Sequence, residues 1–162
     1  MSILAFPNPV DEVSARLVAG AVVLLSLTAV ATGSVVLTAL ITCGFILRVM
    51  SGPRFSPLGL LVTKVVRPKL SIEPRSVAGP PKRFAQGVGV VFSLTATVLM
   101  VLGSIGAAQV VLLMLAFAAT LESVFGLCLG CKVFAGLMKL GIIPEEVCER
   151  CNNIGLVGGP QA

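Results

Sequence analysis

Two long runs of this chain carry no charge. Leu17 to Leu47 and Phe84 to Leu121 contain no Asp, Glu, Lys or Arg. A helix on the surface of a small soluble domain hides one apolar face and shows water the other, so runs like these cannot both be hidden in a globule of this size. A bilayer accommodates them. Its hydrocarbon core is about 30 Å thick and takes about 20 helical residues, and each run is longer than that. Composition agrees: of 162 residues 56% are hydrophobic and 12% charged, where soluble domains carry about 25% charged residues. The mean hydropathy is +1.05.

The chain has no His. That removes imidazole general-base catalysis, His–Cys nucleophile pairs and His-ligated metal sites. Trp and Tyr are also absent, so the usual interfacial aromatic belt is missing and Arg and Lys must anchor the helices.

The first run admits one long tilted helix or a hairpin turning at Gly33-Ser34. Asn8-Pro9 reads as an N-cap and first helical position, with Asp11 and Glu12 at the positive dipole end and Arg16 snorkelling to headgroups. Gly103-Ser104-Ile105-Gly106 splits the second run into Phe84–Leu102 and Ala107–Leu127, each long enough to cross.

Charge placement chooses the hairpin. Arg48, Arg54, Lys64, Arg67, Lys69, Arg75, Lys82 and Arg83 flank or occupy the central loop against a lone Glu73, and neither turn holds Lys or Arg. Only four spans keep the basic loop and both termini on the cytoplasmic side, as the positive-inside bias requires. A repeat supports this. Arg16, Gly20, Val23 and Ser26-Leu27-Thr28 recur at Arg83, Gly87, Val90 and Ser93-Leu94-Thr95, as expected of parallel repeats about an axis along the membrane normal.

The expected fold is therefore an all-α membrane protein with four transmembrane helices arranged as two parallel-repeat hairpins. Residues 1–50 form the N-terminal region and first hairpin, 51–83 a basic Pro-rich cytoplasmic loop, 84–127 the second hairpin, and 128–162 a short cytoplasmic helical Cys-rich tail. The N-terminus lacks a basic n-region, so the first span reads as a retained anchor. Within the loop, Leu58–Val66 reads as a short amphipathic surface helix ended by Arg67-Pro68. The loop's charges serve topology or attract anionic lipid; with no folded basic domain or interleaved aromatics, nucleic acid is not an expected partner.

The cysteines carry what chemistry there is. Cys128-Leu-Gly-Cys131 closes the fourth span and Cys148-Glu-Arg-Cys151 follows in the tail. The spacing C-x2-C-x16-C-x2-C lies within the range of four-thiolate zinc sites, with Gly141 and Pro144 available for the reversal. The alternative is thiol exchange by Cys128 and Cys131 as a redox pair. A fourth helix unbroken through Cys128 would put that sulfur near a C-terminal dipole end, whereas a break at Gly126 would make it a helix start. Cys43, inside the second span, reads as a small packing residue. Glu122, the one carboxylate inside a span, is a candidate proton acceptor for a thiol, with Arg48, Ser123 or Gln109 as partners.

Asn8-Pro9-Val10-Asp11-Glu12, Pro81-Lys82-Arg83-Phe84-Ala85-Gln86 and Phe125-Gly126-Leu127-Cys128-Leu129-Gly130-Cys131 resemble the bacterial membrane family catalogued as domain of unknown function 4395. The resemblance covers roughly residues 8 to 135. It implies a multi-pass protein of the bacterial plasma membrane and an association with soluble thioredoxin-like or rhodanese-type sulfur proteins, and it carries no activity of its own. Three functional classes follow: a cytosol-facing thiol redox or sulfur-handling protein, an accessory membrane protein whose four cysteines bind zinc, and a small transporter.

Overall fold

The structure, a computed structural model, describes residues 10–51, 56–69, 76–77 and 79–142. Asn8-Pro9, Cys148 and Cys151 lie outside them. Six α-helices make up nearly all of the described chain: α1 Glu12–Thr32, α2 Val35–Ser51, α3 Pro57–Leu61, α4 Gly79–Val101, α5 Ile105–Phe125 and α6 Leu129–Lys139. A π-helical turn, Val62–Val66, and a 3-10 turn, Arg67–Lys69, extend α3. Val10–Asp11 (β1) pairs antiparallel with Ser76–Val77 (β2). The helices α1, α4 and α5 are long and apolar enough to cross a bilayer, while α2 is apolar but shorter, at 17 residues.

Both hairpin turns rest on a glycine in the left-handed region. Gly33, at φ 60°, ends α1 and donates its N–H to Ala29 O, and Gly103, at φ 81°, does the same work between α4 and α5. The second turn is shorter than the sequence suggested, because Gly106 already belongs to α5.

Side-chain bonds fix which helices run together. Thr38 Oγ1 meets Met100 Sδ at 3.3 Å, Thr42 Oγ1 meets Thr97 Oγ1 at 3.1 Å, and Arg83 Nε donates to Val49 O at 3.0 Å. These put α2 antiparallel to α4 along its whole length. Gln109 Nε2 donates to Val30 O at 3.0 Å, and Arg16 donates to Ser123 O and Val124 O at 3.1 and 2.6 Å. These do the same for α1 and α5. Both turns therefore lie at one end of the bundle, and Arg16, Arg48, Lys82 and Arg83 gather at the other.

The interior is made of small and weakly polar residues. Ser26, Ala29, Thr38, Ser93, Ala96, Ala108 and Leu112 are fully buried, whereas Leu24, Val36, Val91 and Phe117 on the outer faces are more than 60% exposed. Small interior residues with large apolar ones outside suit helices that pack in lipid, where close backbone approach replaces the hydrophobic drive. The Phe45 ring lies so close to Gly89 that any side chain there would collide with it.

Three expectations need correction. The cap of α1 is Asp11, not Asn8: its carboxylate accepts from Val13 N and Ser14 N at 3.3 and 3.2 Å, and the β1 pairing holds the preceding backbone extended. The central loop ends before residue 83, because α4 starts at Gly79 with Pro80-Pro81 in its first turn, where proline sacrifices no helical hydrogen bond. Cys43, expected as a packing residue, is exposed on α2 and is not among that helix's buried residues.

Candidate functional site

The charged end of the bundle holds the CxxC pair. Helix α5 stops at Phe125, where Gly126 turns left-handed at φ 68°. The Gly126 and Leu127 N–H groups then close back on Glu122 O and Leu121 O, both at 3.1 Å, a Schellman-type ending. Arg16 from α1 takes two more freed carbonyls, Ser123 O and Val124 O, where a cation also complements the dipole. The break leaves Cys128 extended (φ −80°, ψ 104°) as the N-cap of α6. Of the two alternatives open in the sequence, the structure takes the one that puts Cys128 at a helix start.

Cys131 sits one turn into α6 and the two sulfurs face each other. Cys128 is 8% exposed and Cys131 is half-buried. The Cys128 sulfur makes no close capping bond to a first-turn N–H; what it does have is the neighbouring thiol. The Cys131 S–H donates to it and holds its pKa below the ordinary thiol value, against burial and the charge of Glu122, with the Cys131 N–H and the Lys82 ammonium helping. Cys131 moves the opposite way, upward, because it retains the shared proton and is itself buried.

Glu122 is 17% exposed and its partner is Lys82 of α4, Nζ to Oε1 at 2.5 Å, the ammonium side chain being 8% exposed. The sequence named Arg48, Ser123 and Gln109 instead. Arg48 is buried, donates from Nε to Gly44 O at 3.0 Å and lies 4.3 Å over the Phe45 ring; the Glu122 charge acts on it without a direct bond. Gln109 bonds Val30 O, and the Ser123 carbonyl is taken by Arg16. Lys82 was missed because Pro80-Pro81 made its surroundings look like loop. The signal was there: proline at a first helical turn puts the following Lys one turn inside a span that needs a counter-ion for Glu122.

A cleft of about 380 Å³ opens beside these groups, lined by Cys128, Cys131, Lys82, Lys132 and Glu12 among others. Both cysteines and Lys82 thus line one cleft. Among the described residues no three His, Cys, Asp or Glu groups converge as metal ligands do; two of the four cysteines of the zinc pattern, Cys148 and Cys151, lie outside those residues. Gly141 ends the α6 segment in the left-handed region, at φ 72°, as its sequence position suggested.

Residues 10–139 match the family described as domain of unknown function (DUF4395), and the chain belongs to that family. No curated protein and no solved structure is significantly similar to it.

Proposed function

We propose, for this member of a family with no assigned activity, that the chain is a four-span protein of the bacterial plasma membrane whose Cys128–Cys131 pair exchanges disulfides with a soluble thioredoxin-like protein in the cytosol. The observation that carries the reading is the helix break at Gly126. It makes Cys128 the N-cap of α6 and sets the Cys131 thiol against it, beside an open cleft.

The exchange balances as follows. The Cys128 thiolate attacks one sulfur of the partner's disulfide and expels the other, which takes the proton of Cys131. The Cys131 thiolate then attacks Cys128 Sγ, forms the Cys128–Cys131 disulfide and releases the partner's second sulfur, which is protonated by water. The partner gains two electrons and the pair loses two. A reduced dithiol protein reverses the sequence. Lys82 stabilises the attacking thiolate, and Glu122, already engaged by Lys82, acts as that cation's counter-ion in place of a proton acceptor.

Four spans and a two-fold repeat have their own support. Although α2 has only 17 residues, it runs beside α4 from the uncharged turns to the level of Arg83. The buried set Val22, Ser26 and Ala29 of α1 recurs at Gly89, Ser93 and Ala96 of α4, and Thr38, Thr42 and Phe45 of α2 recur at Ala108, Leu112 and Leu115 of α5. Arg16 and Arg83 each bond the carbonyl of the third-last residue of the neighbouring helix. With the arginines and lysines at one end, that end faces the cytoplasm.

Mixed-disulfide trapping tests the activity. With Cys131→Ala, a thioredoxin-like protein should remain covalently attached through Cys128, and reductant should release it. Purified protein whose Cys128 and Cys131 never form a disulfide under a glutathione gradient, and which instead carries stoichiometric zinc, would replace this reading with the accessory zinc-site one.

A further inference from the structure

Helix α6 has a face that no other described element covers. At 100° per residue, Leu129, Val133 and Leu140 fall within about 40° of one another, and Lys132 and Lys139 form a second stripe about 60–80° away. The side turned to the bundle is different again: Gly130 lies against Ala85, and the Phe134 ring lies 5.7 Å from that of Phe84. Leu129, Val133 and Leu140 are all exposed, at 42, 54 and 73%.

We propose that α6 lies in the cytoplasmic interface of the bilayer, its Leu129–Val133–Leu140 stripe in acyl chains and its lysines among anionic phospholipid headgroups. The inference rests on the membrane-spanning reading of α4 and α5 and not on the thiol chemistry. Three observations fix the occupant as lipid. The stripe is continuous with the outer surface of the spans: Leu129 borders an apolar groove of about 430 Å³ with Phe92, Leu113, Met114 and Phe117. The helix packs on Phe84 and Ala85, immediately after Lys82 and Arg83, and so lies at the level where the spans leave hydrocarbon. Its 11 residues reach only about 16 Å, too short to cross, and from Leu129 to Ile142 it carries two lysines and no carboxylate. Cys128 and Cys131 are then held at headgroup depth, and the soluble partner has to meet them at the membrane surface.

The absence of Trp and Tyr makes a direct test clean, since one introduced Trp is the only indole emitter. The full-length chain is reconstituted in vesicles of phosphatidylcholine brominated on its acyl chains. Phe117→Trp reports the spanning surface, Val133→Trp and Leu140→Trp the stripe, and Ala135→Trp the exposed opposite side beside the cleft. Phe117→Trp, Val133→Trp and Leu140→Trp should all lose emission relative to unbrominated vesicles, while Ala135→Trp keeps its emission and is quenched by iodide. Adding phosphatidylglycerol should deepen the quenching of Val133→Trp, and Lys132→Ala/Lys139→Ala should abolish that increment. Bright Val133→Trp and Leu140→Trp beside a quenched Phe117→Trp would overturn the proposal alone, as would Ala135→Trp quenched as strongly as the stripe. An unquenched Phe117→Trp would instead overturn the spanning reading beneath it.

Discussion

Lys82 and Glu122 stand 40 positions apart in sequence and meet, Nζ to Oε1, at 2.5 Å between α4 and α5. The contact neutralises the carboxylate near the C-terminal end of α5, and it places the cation on the cleft that Cys128 and Cys131 also line. Structure and chemistry share this residue pair.

Breaking the pair from one side should be costlier than removing it. Lys82→Met leaves a largely buried carboxylate without its ion-pair partner, and a loss of about 3 kcal/mol is expected. Lys82→Met/Glu122→Leu should recover most of it, since apolar groups replace both charges. Thermal unfolding of the two single variants and the double in one detergent closes the cycle; equal, additive losses would deny the coupling.

Cys128 is expected to react as a thiolate at pH values below the ordinary thiol range, with Cys131 silent there. The sign follows from the lowered Cys128 and raised Cys131 values: as pH rises, Cys128 ionises first and Cys131 keeps its proton. Iodoacetamide rates followed by peptide mass spectrometry give the profile. Cys131→Ala and Lys82→Met should move it to higher pH, and Glu122→Gln to lower pH. Shifts in one direction for Lys82→Met and Glu122→Gln alike would reveal general structural damage and no charge effect.

Gly126 should resist substitution more than Gly33. Both occupy left-handed backbone, which costs a non-glycine residue about 1–2 kcal/mol. Gly33 faces open space, whereas a Cβ at Gly126 would lie 3.2 Å from Glu12 Oε1 and crowd Arg16. Gly126→Ala is therefore expected to lower both the melting temperature and the Cys128 alkylation rate, because the α5–α6 break is what creates the helix start. Gly33→Ala should lower stability only.

Gly89→Ala should force α2 from α4. The Phe45 ring cannot retreat freely, being pinned beneath Arg48, so an overpacking cost of about 1–3 kcal/mol is expected. Phe45→Leu in the same chain should return part of it. A Gly89→Ala variant as stable as the parent would show that the ring has room to move.

Membrane orientation is open to cysteine labelling in a background without the native cysteines. Ser34→Cys and Ser104→Cys, at the two uncharged turns, should react with an impermeant maleimide on intact cells. Ser71→Cys should react only after the membrane is opened. External labelling of Ser71→Cys would reverse the proposed orientation.

Length and charge along the chain suffice to establish the apolar helices, their turns at Gly33 and Gly103, and the segregation of cations to one end. Those properties depend on contiguous residues: a charge-free run long enough for hydrocarbon, a glycine where the backbone must turn left-handed, a lysine that cannot be left in lipid. The same locality made Gly141 readable as a stop and Leu58–Val66 as helical. What the chain could not disclose locally was which end of which helix meets which. Asp11 displaced Asn8 as the cap because Ser76-Val77, 65 and more residues away, holds Val10-Asp11 extended. Arg16 caps the α5 carbonyls because α1 packs along α5. Whether α5 ran on through Cys128 was undecided by any residue near it. The tertiary structure decided it, since a glycine permits a helix to end there, while the Arg16 guanidinium from another helix satisfies the carbonyls that ending exposes.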